Sequence, residues 1–145
     1  MTPGFFQITL KVFLQRNASA GREFLILKDK DSQMGDLPGG RLSELEIYDP
    51  FSAAIAREMR EELGGVDYAL EEKPLFYFAH KIRNGGHAAL GIAFAAEYLG
   101  GEIVLSEEHD WLGWENVQSY NPRPLFQDHM LSAVLQFQNS FHLAG

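Results

Sequence analysis

The sequence contains no cysteine among its 145 residues, which removes thiol nucleophiles, cysteine-ligated zinc, iron–sulfur clusters and disulfides together. No apolar run approaches the roughly 20 residues of a bilayer span. Met1-Thr2-Pro3-Gly4 also carries no basic region leading into an apolar stretch. The expectation is a cytoplasmic protein with neither a standard secretion signal nor membrane insertion. Basic residues are in deficit, 12 against 20 acidic ones, for a net charge of -8. An acidic surface repels the phosphate backbone, which disfavours long nucleic acid as a partner. Gly39-Gly40 is not followed by Gly-Lys-Ser/Thr, so no Walker-type phosphate loop is present. Five histidines occur without a Gly-x-Ser-x-Gly nucleophile elbow. Internal repeats, low-complexity tracts and Pro/Ser-rich linkers are missing too, so a single domain over residues 1–145 is expected.

What is present is the composition of a globular domain with a real core, 46% hydrophobic and 22% charged. At this length a chain hides roughly two thirds of its unfolded surface, so any metal would serve function rather than stability. Gln7 to Gln15 alternates and is rich in Ile, Val and Phe, Arg16 to Arg22 reads as a polar loop, and Glu23 to Lys28 returns as a second strand. Two adjacent glycines in Asp36-Leu37-Pro38-Gly39-Gly40 permit positive φ and close approach to the main chain. Asp49 as N-cap, Pro50 at the first helical position and Gly64-Gly65 as C-cap delimit a helix from Pro50 to Leu63. Pro74 to Arg83 and His87 to Leu99 are apolar and aromatic runs flanking Asn84-Gly85-Gly86, a hairpin-turn signal. Glu102 to Leu105 and Trp111 to Trp114 read as two further short strands. Phe126, Met130, Ala133, Val134, Phe137 and Phe141 make one apolar stripe on a helix from Pro124 to Ser140. That stripe, and the apolar stretch Phe94 to Tyr98, could form a homodimer surface as easily as a core. Strands enclosing helices point to an α/β or α+β sandwich.

The chemistry concentrates in Arg57-Glu58-Met59-Arg60-Glu61-Glu62-Leu63-Gly64. With about 100° per residue and Glu58 at zero, Glu61 falls near -60° and Glu62 near +40°. Ile55, Met59, Leu63 and Ala56 span about +60° to +160°, so a core-facing arc adjoins three carboxylates. Like charges at these spacings oppose each other by roughly 0.2 to 0.5 kcal/mol per pair, and the helix C-terminus disfavours anions further. Local stability does not explain the arrangement, whereas a divalent cation would turn repulsion into coordination. Oxygen-only ligands suit Mg²⁺ or Mn²⁺. A solvated acidic face, partly neutralised by an Arg57 to Glu61 pair, is the alternative reading of the helix alone.

The larger frame is Leu37-Pro38-Gly39-Gly40, Glu46, then Arg57-Glu58-Met59, Glu61-Glu62 and Gly64. It resembles the Nudix box, G-x5-E-x7-R-E-U-x-E-E-x-G-U with U aliphatic. Two departures stand out. Ten residues rather than seven separate Glu46 from Arg57, and Gly65 stands where an aliphatic residue is expected, with Val66 next to it. Downstream, Glu108-His109 and Trp114 resemble the segment where many Nudix proteins supply a further carboxylate and a buried tryptophan, with Glu107 and Glu97 as reserve candidates.

The resemblance implies an α/β/α sandwich with a mixed sheet between helices, and metal-dependent hydrolysis of a phosphoanhydride in a nucleoside diphosphate linked to another moiety. It implies Gly39 (by its carbonyl), Glu58, Glu61, Glu62 and Glu108 as ligands of Mg²⁺ or Mn²⁺. Arg57 would orient a glutamate of the box, and Glu58 or Glu61 could act as general base rather than ligand, with Glu108 as a further candidate base. A nucleoside triphosphate or similar small nucleotide is the favoured substrate and partner. A non-catalytic Nudix-fold module that binds a nucleotide or a protein is the competing class, though such modules tend to have lost box carboxylates. A basic partner docking on the acidic face is a third. His80, Lys81, Arg83 and His87 offer positive charge that more often solvates a hairpin tip. Phe5, Phe6, Tyr77, Trp111, Trp114 and Tyr120 could stack on a base, but are more often packing.

Overall fold

The computed structural model describes residues 1–82 and 86–144, and the side chains of all of these but the last three. Eight strands share one mixed sheet: β1 (Gln7–Ala18), β2 (Gly21–Asp29), β3 (Gly35–Asp36), β4 (Gly39–Arg41), β5 (Asp67–Leu70), β6 (Phe76–Lys81), β7 (Ala88–Gly100) and β8 (His109–Asn116). Among the described residues there are also two α-helices, α1 (Phe51–Leu63) and α2 (Asp128–Ala144). β1 runs parallel to β7 from Gln7↔Ala89 to Gln15↔Glu97, and the other pairings are antiparallel.

Alternation along the central strands decides which helix covers which face. Leu10, Val12 and Leu14 of β1, with Leu25 and Leu27 of β2, pack on Ala54, Ile55, Met59 and Leu63 of α1. The intervening Phe13, Phe24 and Ile26 pack on Ala133, Val134 and Phe137 of α2, with Phe13 and Phe137 stacked at 4.0 Å. The sheet is therefore a filling between two helical layers, as expected for an α/β/α sandwich. Phe94 to Ala96 and the α2 stripe enter these cores.

Several boundaries differ from the sequence expectation, each for a physical reason. Arg16 to Arg22 is not a loop. β1 continues to Ala18, which pairs with Gly21 across a two-residue turn. The polar residues there are ladder partners, and Arg16 meets Glu23 at 2.9 Å across the strands. Pro50 is the N-cap of α1 rather than its first residue, and Asp49 makes no side-chain cap. Glu102 to Leu105 is not a strand: Val104 N–H and Ser106 N–H donate to the carbonyls of Leu63 and Glu62, satisfying the open end of α1 instead of a sheet edge. Trp111 to Trp114 lies inside the longer β8. α2 starts at Asp128, not Pro124, because Phe126 N–H closes a turn on Pro122 and Asp128 takes φ 51°. The β6–β7 hairpin forms as expected, while Arg83, Asn84 and Gly85 of its turn lie outside the described residues. Among the described residues, no helix is long and apolar enough to cross a membrane.

Candidate functional site

β1 and β2 pair only from Gln15 to Phe24 outward, then diverge. β3, Leu37-Pro38 and β4 fill the fork, with β4 pairing on β1 at Lys11↔Gly39 and Leu10↔Gly40. Val12 N–H donates to Pro38 C=O at 2.8 Å, which locks the segment in place. Gly39 has φ 128°, and a Cβ there would lie 2.0 Å from the Leu10 carbonyl oxygen. A Cβ on Gly40 would lie 2.5 Å from the Glu58 carboxylate. The first glycine serves the backbone crossing, and the second opens a seat for a carboxylate.

α1 presents that carboxylate. Its buried residues are Ala54, Ile55, Met59, Glu62 and Leu63, so the core-facing arc is rotated relative to the expected one. Ala56 is half-buried, and Glu62 stands inside the arc at 4% exposure. Glu61 is largely exposed, and Glu58 lies between these extremes. Arg57 donates from Nε and Nη2 to both oxygens of Glu46 at 2.8 Å, and its Nη1 lies 3.0 Å from Glu58 and 3.2 Å from Glu61. The longer connection does not displace Glu46, because a 3-10 turn over Leu45–Tyr48 returns it to Arg57. The guanidinium holds the Glu46 carboxyl down at about 2. Val66 joins the α1 core while Gly65 faces open space, as the substitution at the end of the box requires.

The segment that closes α1 brings in the last members. A cavity of about 300 Å³ is lined by Gly39, Gly40, Arg41, Glu58, Glu61, Glu62, Ser106 and Glu108. The structure thus gathers Gly39, Glu58, Glu61, Glu62 and Glu108 around one space, with Arg57 behind them. Glu107 is exposed outside that lining, and Glu97 is paired with Arg22 in the sheet. His80, Lys81 and His87 lie at the β6–β7 end, outside the lining. Trp114 is half-buried, with the Arg16 guanidinium 4.1 Å over its ring and Tyr98 beside it. Tyr120 packs on the α2 side, Phe5, Tyr77 and Trp111 are exposed, and Phe6 lines a separate depression that shares Arg41.

Sequence reading missed Arg41 and a buried polar chain behind Glu62. Lys11 Nζ lies 2.9 Å from Asp36 Oδ1, and Asp36 Oδ2 lies 3.3 Å from His109 Nε2. His109 Nδ1 faces Glu62 Oε2 at 4.0 Å. Gly39 N–H donates to Glu62 Oε1 at 3.3 Å, while Glu62 Oε2 and His109 Nδ1 are buried without hydrogen-bond partners. Burial opposes ionisation of Asp36, but the Lys11 charge and hydrogen bonds from His109, Lys11 and the Leu37 backbone hold it well below the usual carboxylate range. Burial likewise opposes charge on His109, and Asp36 outweighs it, so the imidazole is raised. Burial pushes the Glu62 carboxyl up to about 8, against the pull of Lys11 and His109. One signal was available: Lys11 is a charged residue set between Leu10 and Val12 in the apolar stretch of β1.

Among the described residues, no three Asp, Glu or His side chains are already arranged to enclose a metal ion. The donor set nevertheless fits one. Four carboxylates line a single cavity, every ligand is a hard oxygen, and a buried glutamate oxygen lacks any partner.

The architecture has close counterparts among solved structures. An Ap4A hydrolase of C. elegans, in a binary complex, superposes with a TM-score of 0.75 at 18% identity, over 96% of this chain and 99% of that one. A MutT Nudix hydrolase from Burkholderia pseudomallei gives 0.66 at 24% identity, over 92% and 98%. The Nudix domain of Shewanella oneidensis NrtR, complexed with ADP-ribose, gives 0.70 at 13% identity, over 97% and 90%. The chain has the Nudix fold. No protein-family model matches the sequence, and no curated protein does. In this Nudix fold the glycine pair and the acidic end of α1 meet at the fork between β1 and β2, so Gly39, Gly40, Glu58, Glu61 and Glu62 of the resemblance line the cavity, and Glu46 stands behind it on Arg57.

Proposed function

We propose that this protein is a metal-dependent Nudix-type pyrophosphohydrolase acting on a nucleoside diphosphate linked to another moiety, with a nucleoside triphosphate or similar small nucleotide favoured. The observation that carries the reading is the single cavity lined by Glu58, Glu61, Glu62 and Glu108 beside the Gly39-Gly40 backbone. Mg²⁺ or Mn²⁺ bound there would neutralise phosphate oxygens and lower the pKa of a bound water. Glu58, Glu61, Glu62, Glu108 and the Gly39 carbonyl are the residues assigned to hold it. Arg57, fixed on Glu46, keeps Glu58 and Glu61 from splaying apart under their mutual repulsion. Arg41 supplies the positive charge on the cavity wall that a polyphosphate needs in an otherwise acidic site.

Water then attacks one phosphorus of the anhydride, the bridging P–O bond breaks, and the displaced phosphate leaves with its electron pair. Glu61 takes the proton from the attacking water. Its carboxylate is the most exposed of the three on α1, whereas Glu58 is seated against Gly40 and Glu62 is bound to the Gly39 amide.

The test is product release from nucleoside triphosphates, diadenosine polyphosphates, ADP-ribose and nucleotide sugars, with Mg²⁺, Mn²⁺ or chelator, for wild type and Glu61→Gln. Metal-dependent turnover that collapses in Glu61→Gln supports the hydrolase and ranks its substrates. A compound that raises the melting temperature without being cleaved would replace the hydrolase with a binding module.

A further inference from the structure

We infer that His109 is a positioning residue for the cation site, holding the Glu62 carboxylate through a buried chain that begins at Lys11. The inference rests on the proposed cation site and adds a residue that is not one of its ligands. Lys11 Nζ is anchored on Asp36 Oδ1 at 2.9 Å and on the Leu37 carbonyl at 3.2 Å. The Leu37 N–H also donates to Asp36 Oδ1, at 2.8 Å, which leaves Oδ2 for His109 Nε2 at 3.3 Å. With Nε2 committed to Asp36, the ring plane is fixed and Nδ1 is the edge turned toward Glu62 Oε2, 4.0 Å away.

Two features make this more than packing. Both atoms across that gap are buried without a hydrogen-bond partner, and they face each other at 4.0 Å. Glu62 is also the one carboxylate on α1 with no arginine on it, since Arg57 serves Glu58 and Glu61. Glu62 Oε1 is tied to the Gly39 amide, and His109 supplies the second constraint, which fixes the plane of the carboxylate beside the cavity. Groups that orient a ligand in this way typically change cation affinity by about 10- to 100-fold when removed.

The experiment compares His109→Gln with His109→Asn. A glutamine amide reaches the place of Nε2 and keeps the Asp36 contact, whereas an asparagine amide reaches the place of Nδ1 and keeps the contact toward Glu62. Binding of Mn²⁺ to the substrate-free protein is measured by calorimetry, alongside the melting temperature without metal. We expect His109→Gln to bind Mn²⁺ at least about 10-fold more weakly than wild type, and His109→Asn to recover most of that loss. A His109→Gln protein with unchanged Mn²⁺ affinity, or equal losses in the two variants, would overturn the positioning role while leaving the cation site intact. Wild type that binds no Mn²⁺ would overturn both this role and the proposed function. A second readout needs no substitution. Adding Mg²⁺ to wild type should move the His109 Nδ1 nitrogen resonance and leave that of His129, exposed on α2, in place. An unmoved His109 resonance at saturating Mg²⁺ would likewise overturn it.

Discussion

Gly40 illustrates how much a missing side chain can decide. Its backbone lies so close to Glu58 that a Cβ would sit 2.5 Å from the carboxylate, yet the obstacle is the flexible end of a side chain and not main chain. Gly40→Ala should therefore fold, push Glu58 out of its seat, and weaken Mn²⁺ binding at least about 10-fold, as titration calorimetry would show. Gly39 is different, because its neighbour at 2.0 Å is the Leu10 carbonyl, which has nowhere to go. Glu46 gives a prediction in pH. Its carboxyl is held at about 2 against an ordinary 4.5, mainly by hydrogen bonds from Arg57. A depressed folded pKa contributes stability above the unfolded value and loses it as pH falls through the folded one. The melting-temperature advantage of wild type over Glu46→Gln should be full at about pH 6, shrink below about 4.5 and vanish near about 2. An advantage that persists unchanged at the acid end would show that the Arg57 contact is not what favours Glu46.

At the scale of elements, the acidic helix was legible because its apolar residues keep a period of 3.6 and its ends carry Pro50 and Gly64. The error lay in the rotation of the buried arc, which reached Glu62. A periodicity argument assigns a carboxylate to the surface by type, and here Lys11 and His109, both held by Asp36, favour its charge against burial. Those three come from β1, β3 and β8, separated by up to 98 positions, and no local pattern reports such a meeting. The segment after β7 was misread for a related reason. Its apolar residues Ile103, Val104 and Leu105 resemble a strand, but its amides are taken by the end of α1. Val104→Pro removes the amide that caps the Leu63 carbonyl. The loss should be about 1 kcal/mol in urea denaturation, with a fall in cation affinity because Ser106 and Glu108 are carried on the same segment.

Across the whole molecule, the site exists because two central strands part. β1 and β2 begin as a hairpin, then separate to admit the glycine pair, and α1 crosses the same face so that its acidic end meets that pair. The opposite face is closed by α2 and a cluster of phenylalanines that contribute no atom to the cavity lining. The two faces should therefore separate by mutation. Phe137→Ala deletes a fully buried ring stacked on Phe13 and should cost about 3 to 5 kcal/mol of stability, while leaving Mn²⁺ affinity unchanged below its melting temperature. Parallel losses of stability and affinity would mean that the faces are coupled through the sheet.

The most direct measurement follows heavy oxygen from water into product. The best substrate of the panel is incubated in isotopically enriched water with Mg²⁺ or with chelator, and the phosphorus spectrum is recorded for wild type and Glu61→Gln. Hydrolysis at the cavity requires label on one phosphorus of the product mixture, dependence on Mg²⁺, and near-complete loss with Glu61→Gln. Cleavage that continues in chelator, or nucleotides that bind and emerge uncleaved, would contradict a metal-dependent pyrophosphohydrolase.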